Sequence, residues 1–289
     1  MTEQILFQTF VNAILLSLIY MLMAIGLTLV FSIMSLINFA HGTLYMMGGF
    51  AVYLFFERLG LNYWLGILIG IVFVGLFGAL LEKGIFRPLR KDMLQACLAS
   101  LGVAMILETG ALIIFGELDK DVSTIFKGVI EISGVFIPKE KLVIVLVSAA
   151  VAGALIVFIK YSRAGQALQA VAQDADAAAL QGINVSRMNS LGFAIGCGLA
   201  AAAGGLISPL FFVSSYMGMI PLMKAFMVII MGGLGSIPGA VLASFILGFV
   251  EQFSLTLVGY IGNVFGFIII MLFLLFRPRG LLGREFKLH

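Results

Sequence analysis

The side chains of this chain best suited to chemistry stand close together, in Ile37-Asn38-Phe39-Ala40-His41-Gly42-Thr43-Leu44-Tyr45-Met46-Met47-Gly48-Gly49. His41, Tyr45 and Gly48/Gly49 recur at i, i+4 and i+7/8, which is one stripe of a helix, and Asn38 and Thr43 add hydrogen-bonding groups beside them. Neutral donors and acceptors next to small residues suit transient contact with a small solute, whereas a fixed charge could trap it. No catalytic triad or metal-ligand spacing accompanies His41, so the stretch does not point to catalysis and no metal site is expected. The plainer alternative is that Asn38 and His41 cap a helix and bond neighbouring backbone.

A second group consists of three isolated charges, Glu108, Lys224 and Glu251, at or near the depth of long apolar runs. Within a membrane each would cost about 2.5–3.5 kcal/mol at a helix centre on insertion scales. Each therefore needs a partner or contact with water. A Lys224–carboxylate pair that only fastens helices together is the favoured use; a lining for a polar route is the other.

The elements that must position these residues are membrane helices. Of the 289 residues, 62% are hydrophobic and 11% charged, and mean hydropathy is +1.17, whereas soluble domains carry about 25% charged residues. The apolar segments are long and continuous, without the alternation of a lipid-facing barrel. The fold class is all-α, a polytopic transmembrane bundle making a single domain over 1–289. Residues 4–56 hold no Asp, Glu, Lys or Arg across 53 positions, too long for one span of about 20 residues. The polar stretch is thus where one span gives way to the next. Irregular backbone at that depth is tolerated where it is buried in protein or lines a cavity, which predicts a broken or short helix facing a route.

Spans are predicted at about 5–31, 41–56, 59–81, 94–116, 142–159, 188–208, 221–235, 239–257 and 260–276. The second and seventh are short enough to be half-helices, so the count is eight or nine. A basic turn occupies 82–92, and the mixed loop 117–141 holds a short hairpin near 129–137. Close helix contacts are expected at Gly66/Gly70, Gly192/Gly196, Gly235/Gly239 and Gly262/Gly266. Loops 82–93 and 160–187 and the tail 277–289 hold eleven of the seventeen Lys and Arg, which marks the cytoplasmic side. With nine spans the N-terminus is outside and the C-terminus inside. The net charge of +3 reflects this bias, and no nucleic-acid partner is expected. Cys97 and Cys197 lie in apolar runs and suggest neither disulfide nor metal site. The N-terminus lacks a basic leader region, so the first apolar segment is expected to stay in the protein.

A second break, Met231-Gly232-Gly233-Leu234-Gly235-Ser236-Ile237-Pro238-Gly239-Ala240, interrupts the other half. Interrupted segments at corresponding places in two halves point to a binding route between repeats, here expected to be inverted. Gly232, Gly233, Gly235 and Ser236 thus join Asn38, His41, Gly42, Thr43, Tyr45 and Gly48 as candidate pathway residues.

The polar loop 160–187 predicts one helix, N-capped by Ser162 and stopped by Gly182. Ala164, Ala167, Leu168, Val171, Ala175 and Ala178 fall on one face, opposite Gln166, Gln169, Gln173 and Asp176. An alanine face holds poorly to lipid, whose surface helices use Leu, Phe and Trp, and suits a close-fitting socket in another protein. A cap over the chain's own bundle is the alternative. No phosphate-binding G-x-x-x-x-G-K-[ST] motif is present, and no soluble segment is large enough to hydrolyse a nucleotide. No cofactor of the chain's own is expected, and any energy would come from another subunit.

Four stretches carry a family resemblance: Leu36 to Gly42, Leu107-Glu108, Asp174 to Asn184, and Lys224-Ala225-Phe226 leading into the second break. In combination they resemble the LivH-type inner-membrane permease subunits of branched-chain (hydrophobic) amino-acid ABC importers, over nearly the whole chain. Gln173 stands where such loops usually have Glu. The resemblance implies a non-enzymatic pore half, paired with a second homologous permease, two cytoplasmic ATPase subunits that bind the ATP, and a periplasmic solute-binding protein. It implies a coupling role for the loop, with Arg163, Asp174, Asp176, Leu180, Gly182 and Asn184 at the ATPase contact. Similar permeases carry urea, short amides or other amino acids, so the solute stays open. The rival class is an ion-coupled secondary transporter, which should work alone and keep an ionisable relay beginning at Glu108 or Glu251.

Overall fold

The computed structural model describes residues 3–90, 92–132, 134–277 and 280–282. Pro278, Arg279 and the end of the predicted cytoplasmic tail lie outside them. The first helix, α1 (Glu3–Met34), carries no charge after Glu3 and stops at Ser35, whose φ is 48°. After the break comes α2 (His41–Val52), which runs on as a π-helix over Tyr53–Arg58. Asn62 N-caps α3 (Tyr63–Leu81) by accepting from the Trp64 amide. This helix does not give way to a turn at Glu82: it continues as a π-helix, Glu82–Phe86, into α4 (Arg87–Leu89). The predicted basic turn is therefore helical up to Leu89. Asp92 caps α5 (Met93–Phe115) through the Leu94 and Gln95 amides.

The hairpin is present: β1 (Val129–Ile132) pairs antiparallel with β2 (Val135–Pro138), Val129 opposite Pro138. Next come α6 (Lys139–Tyr161), α7 (Arg163–Gln173), α8 (Ala175–Leu180), α9 (Val185–Ile207), α10 (Met219–Gly232), α11 (Ile237–Val258) and α12 (Gly262–Phe276). Among the described residues, six helical stretches are long and apolar enough to cross a membrane: α1, α3 with its extension to Leu89, α5, α6, α9 and α11; α10 and residues 264–273 of α12 are shorter apolar helices.

Side-chain and backbone contacts sort the connections into two ends. At one end Ser123 bonds the Glu57 carboxylate, Lys120 and Val213 exchange backbone hydrogen bonds of 2.8 and 2.9 Å, and Thr9 meets Thr256. At the other, Arg87 reaches Ser190, Ser32 reaches Gly235, and the Leu281 amide donates to the Met231 carbonyl. This second end carries the basic loops. Both breaks lie there too, so an inversion exchanging the two ends does not map one break onto the other.

The interior is built on α1 and α9, the most buried of the long helices. Their small residues let backbones touch, as expected where helices associate without a hydrophobic drive between them. A methyl on Gly26 would stand 2.7 Å from the Gly196 carbonyl oxygen, and methyls on Gly48 and Gly204 would overlap the Ala201 and Tyr45 backbones. Of the expected pairs, Gly192/Gly196 faces α1, and Gly66/Gly70 faces α2 and its π-helical extension. Gly239 meets Gly232 across the second break, and Gly262 meets the end of α11 at Ser254 and Leu255.

Candidate functional site

The first break turns its polar side chains into the protein. Asn38 is fully buried and its Oδ1 accepts from the Ala40 amide at 3.1 Å, while Thr43 Oγ1 donates to the Ala40 carbonyl. His41, also fully buried, lies 3.2 Å through Nε2 from the Met23 carbonyl oxygen. Tyr45 and Gly48 are packed on α9, Gly49 on Met217, and Gly42 on the Gly218 carbonyl. The stripe His41–Tyr45–Gly48/Gly49 therefore faces helices of its own chain, not an open cavity. Its physical reason is close packing: the glycines that looked like room for a solute are room for neighbouring backbone.

The second break is held from three sides. Gly233 and Gly235 have φ of 100° and 82°, conformations that side chains rarely adopt, and Ser236 N-caps α11 through the Gly239 amide. Gly232 is buried against Gly239. Ser32 Oγ donates to the Gly235 carbonyl at 3.1 Å. The Leu281 and Leu282 amides donate to the Met231 and Gly232 carbonyls at 2.8 and 3.0 Å, satisfying acceptors that the end of α10 leaves free.

Between the two breaks lies a cavity of about 140 Å³ with no polar surface, lined by Leu27 and Phe31 of α1, Leu36 and Ile37 of the first break, Phe226, Ile229 and Ile230 of α10, and Leu234 of the second. It opens beside Ile230 and Leu234, each 39% exposed. The breaks do meet around a hollow, but apolar residues line it where polar ones were expected.

The intramembrane charges divide. Lys224 Nζ lies 3.1 Å from Glu251 Oε2, with both side chains nearly buried, and the Tyr20 hydroxyl donates to the same oxygen at 3.1 Å. The ammonium also sits 5.4 Å from the Phe267 ring centroid. This is the helix-fastening pair, joining α1, α10 and α11. Glu108, half-buried on α5, has no hydrogen-bond or ion-pair partner among the described residues.

The loop departs from its prediction at Asp174. Ser162 Oγ does accept from the Gly165 amide, and Gly182, with φ of 82°, does stop the helix. Its amide and that of Ile183 bond the Ala179 and Ala178 carbonyls in a Schellman arrangement. Asp174, however, N-caps a second helix, α8, through the Asp176 and Ala177 amides, so one rod becomes two helices. The predicted alanine face is not free: Leu168, Val171 and Ala178 are buried, Leu168 against Gly192 of α9, while Ala175 is exposed. What faces outward is Arg163, Asp174, Asp176, Leu180, Gly182 and Asn184, with Leu180 87% exposed. Asn184 N-caps α9 through the Arg187 amide.

Sequence reasoning missed one cluster. Glu82, with no exposed surface, accepts from Arg87 at 2.9 Å, Arg90 at 2.6 Å and Ser190 at 2.5 Å. The Asn189 amide, turned with its oxygen toward Arg90, accepts from that guanidinium at 2.5 and 2.9 Å. This ties the π-helical extension of α3 to the start of α9. The signal was a single acid at the end of an apolar run, followed by Arg at +5 and +8.

Taken together, the fold and these contacts define a polytopic helical membrane protein of the permease class, with two broken segments around an apolar hollow. The family described as the permease component of the branched-chain amino acid transport system matches residues 9–276. The chain belongs to that family. It is 34% identical to the high-affinity branched-chain amino acid transport system permease protein LivH of Salmonella typhimurium, over 98% of each chain. It is 32% identical to the corresponding protein BraD of Pseudomonas aeruginosa, over 96% of this chain and 95% of that one. A probable LivH of Methanocaldococcus jannaschii is 26% identical over 96% and 92%. No solved structure matches the chain.

Proposed function

We propose that this chain forms half of the membrane passage of an ATP-driven importer of branched-chain amino acids in the inner membrane. Its partners are a second homologous permease, two cytoplasmic ATPases and a periplasmic binding protein. The basic end is cytoplasmic by its Lys and Arg bias, which puts the C-terminus inside and the N-terminus outside. The observation that carries the reading is α8, a six-residue helix at that end with Leu180 bare to water. An exposed leucine beside a run of alanines is a fit for a groove in a partner. The chain lacks a nucleotide-binding motif, so the partner supplies the energy. Substrate specificity is read from the relatives' names and from the hollow between the breaks, whose aliphatic and aromatic lining suits a branched side chain better than urea or an amide.

On this reading, the ATPases move α8, α8 moves α7 and the start of α9, and the breaks beside the cavity open and close. Reconstitution of the chain with the second permease, the two ATPases and the loaded binding protein tests it. Leucine, isoleucine or valine should stimulate ATP hydrolysis and accumulate inside the vesicles. Uptake driven by an ion gradient without the ATPases overturns the proposal in favour of a secondary transporter. Stimulation by urea or amides and not by leucine overturns the substrate.

A further inference from the structure

Glu108 is the unexplained charge. Lys224 and Glu251 neutralise one another, and Glu82 is held by two arginines, but Glu108 has no cation within pairing distance among the described residues. Its place on α5 makes this costly. The helix runs from the basic end at Met93 to Phe115, so Glu108 lies about 22 Å from one end and about 11 Å from the other at 1.5 Å per residue. Centred in a hydrocarbon layer about 30 Å thick, it is several ångströms inside, beyond the reach of a two-methylene stem to the interface. An ionisable residue at such depth faces a partner or a water-filled route.

The helix geometry chooses between lipid and route. Leu98, Met105, Ile106 and Ile113 make the exposed apolar face of α5, and Ser100, Val103, Ala104 and Ala111 the buried one. Glu108 lies on the seam between them, on the stripe Cys97–Leu101–Ala104–Glu108 (i, i+4, i+7, i+11). At its inner end this stripe touches the cavity wall, Cys97 Sγ lying 3.5 Å from the carbonyl of Ile37. A line of side chains about 16 Å long thus joins the unpaired carboxylate to the hollow between the breaks.

We propose that Glu108 is the anionic station at which the ammonium group of the transported amino acid is received, ahead of the apolar cavity. This rests on the importer reading above. The substrate is a zwitterion whose positive end needs an acceptor where water is scarce, and a charge-assisted hydrogen bond from ammonium to carboxylate is the strong one available. A carboxylate free of any resident cation offers that bond without displacing any group of the chain. Glu108 and the cavity are too far apart to hold one molecule at once, so they are successive stops.

The test compares wild type, Glu108→Gln and Glu108→Asp in the complete reconstituted importer, at saturating loaded binding protein. The expected result for Glu108→Gln is normal assembly and normal basal ATP hydrolysis, with maximal leucine uptake reduced roughly tenfold or more. Glu108→Asp should recover a substantial part, because charge and not size is required. Wild-type uptake by Glu108→Gln overturns the proposal. So does loss of the second permease on purification of that variant, which would make the carboxylate a subunit lock. A wild-type complex that imports no amino acid in the same assay instead overturns the importer reading and carries this inference down with it.

Discussion

Replacing Lys224 by Met removes the positive member of a pair that is almost out of contact with solvent, the two side chains being 4% and 7% exposed. Breaking a buried pair from one side costs about 3–5 kcal/mol, because the remaining charge is left without compensation. The Tyr20 hydroxyl donates to Glu251 Oε2 at 3.1 Å with or without Lys224, so it cancels in the comparison. The net loss for Lys224→Met is therefore expected at about 3–5 kcal/mol. The double variant Lys224→Met/Glu251→Gln leaves no charge behind and keeps the tyrosine contact, so it should lie within about 1 kcal/mol of wild type. The assay is thermal unfolding of the detergent-solubilised chain for wild type, both single variants and the double, which yields the coupling term directly. The reasoning fails if the double variant is no more stable than Lys224→Met. It also fails if Lys224→Met is as stable as wild type, for then the pair fastens nothing.

Other substitutions test other parts of the description. Gly48→Ala drives a methyl into the Ala201 backbone and should cost about 1–3 kcal/mol, while Gly102→Ala on the open side of α5 should be neutral or slightly stabilising in the same melts. Asp174→Ala removes the cap of α8 and should cost about 1 kcal/mol there, read as faster amide exchange over 175–180; Asp174→Asn should preserve protection. Leu180→Glu should leave the melting temperature unchanged but weaken co-purification with the ATPases, and equal recovery would exclude α8 as their contact.

Much of the fold was legible because the sequence signals were physical and strong. Charge-free runs long enough for a bilayer gave the helices to within a few residues, and the hairpin expected near 129–137 stands at 129–138. The continuation of α3 past Glu82 was not legible, because a cluster of basic residues reads as a loop while nothing shows its buried carboxylate. Asp174 was read as lying inside one continuous helix between Ser162 and Gly182, because a helical face pattern that runs on past an aspartate does not show that it caps a new helix. The inward turn of His41 and Asn38 had the same cause. Polar residues near glycines look alike whether the glycines admit a solute or a neighbouring helix, and only the contacts with Gly26, Ala201 and Gly218 separate the two. The pairing of Lys224 with Glu251 was anticipated as one possibility; the solitude of Glu108 was not.

The short run Gly280–Leu282 has a practical consequence for anyone labelling this chain. It is stitched to the last carbonyls of α10, and Gly280 lies so close to Gly233 that a methyl there would stand 2.5 Å from its nitrogen. A reporter fused directly behind it would tug on the second break. Epitope tags and fluorophores belong on the opposite face, in the polar segment before the hairpin, where they leave that knot slack.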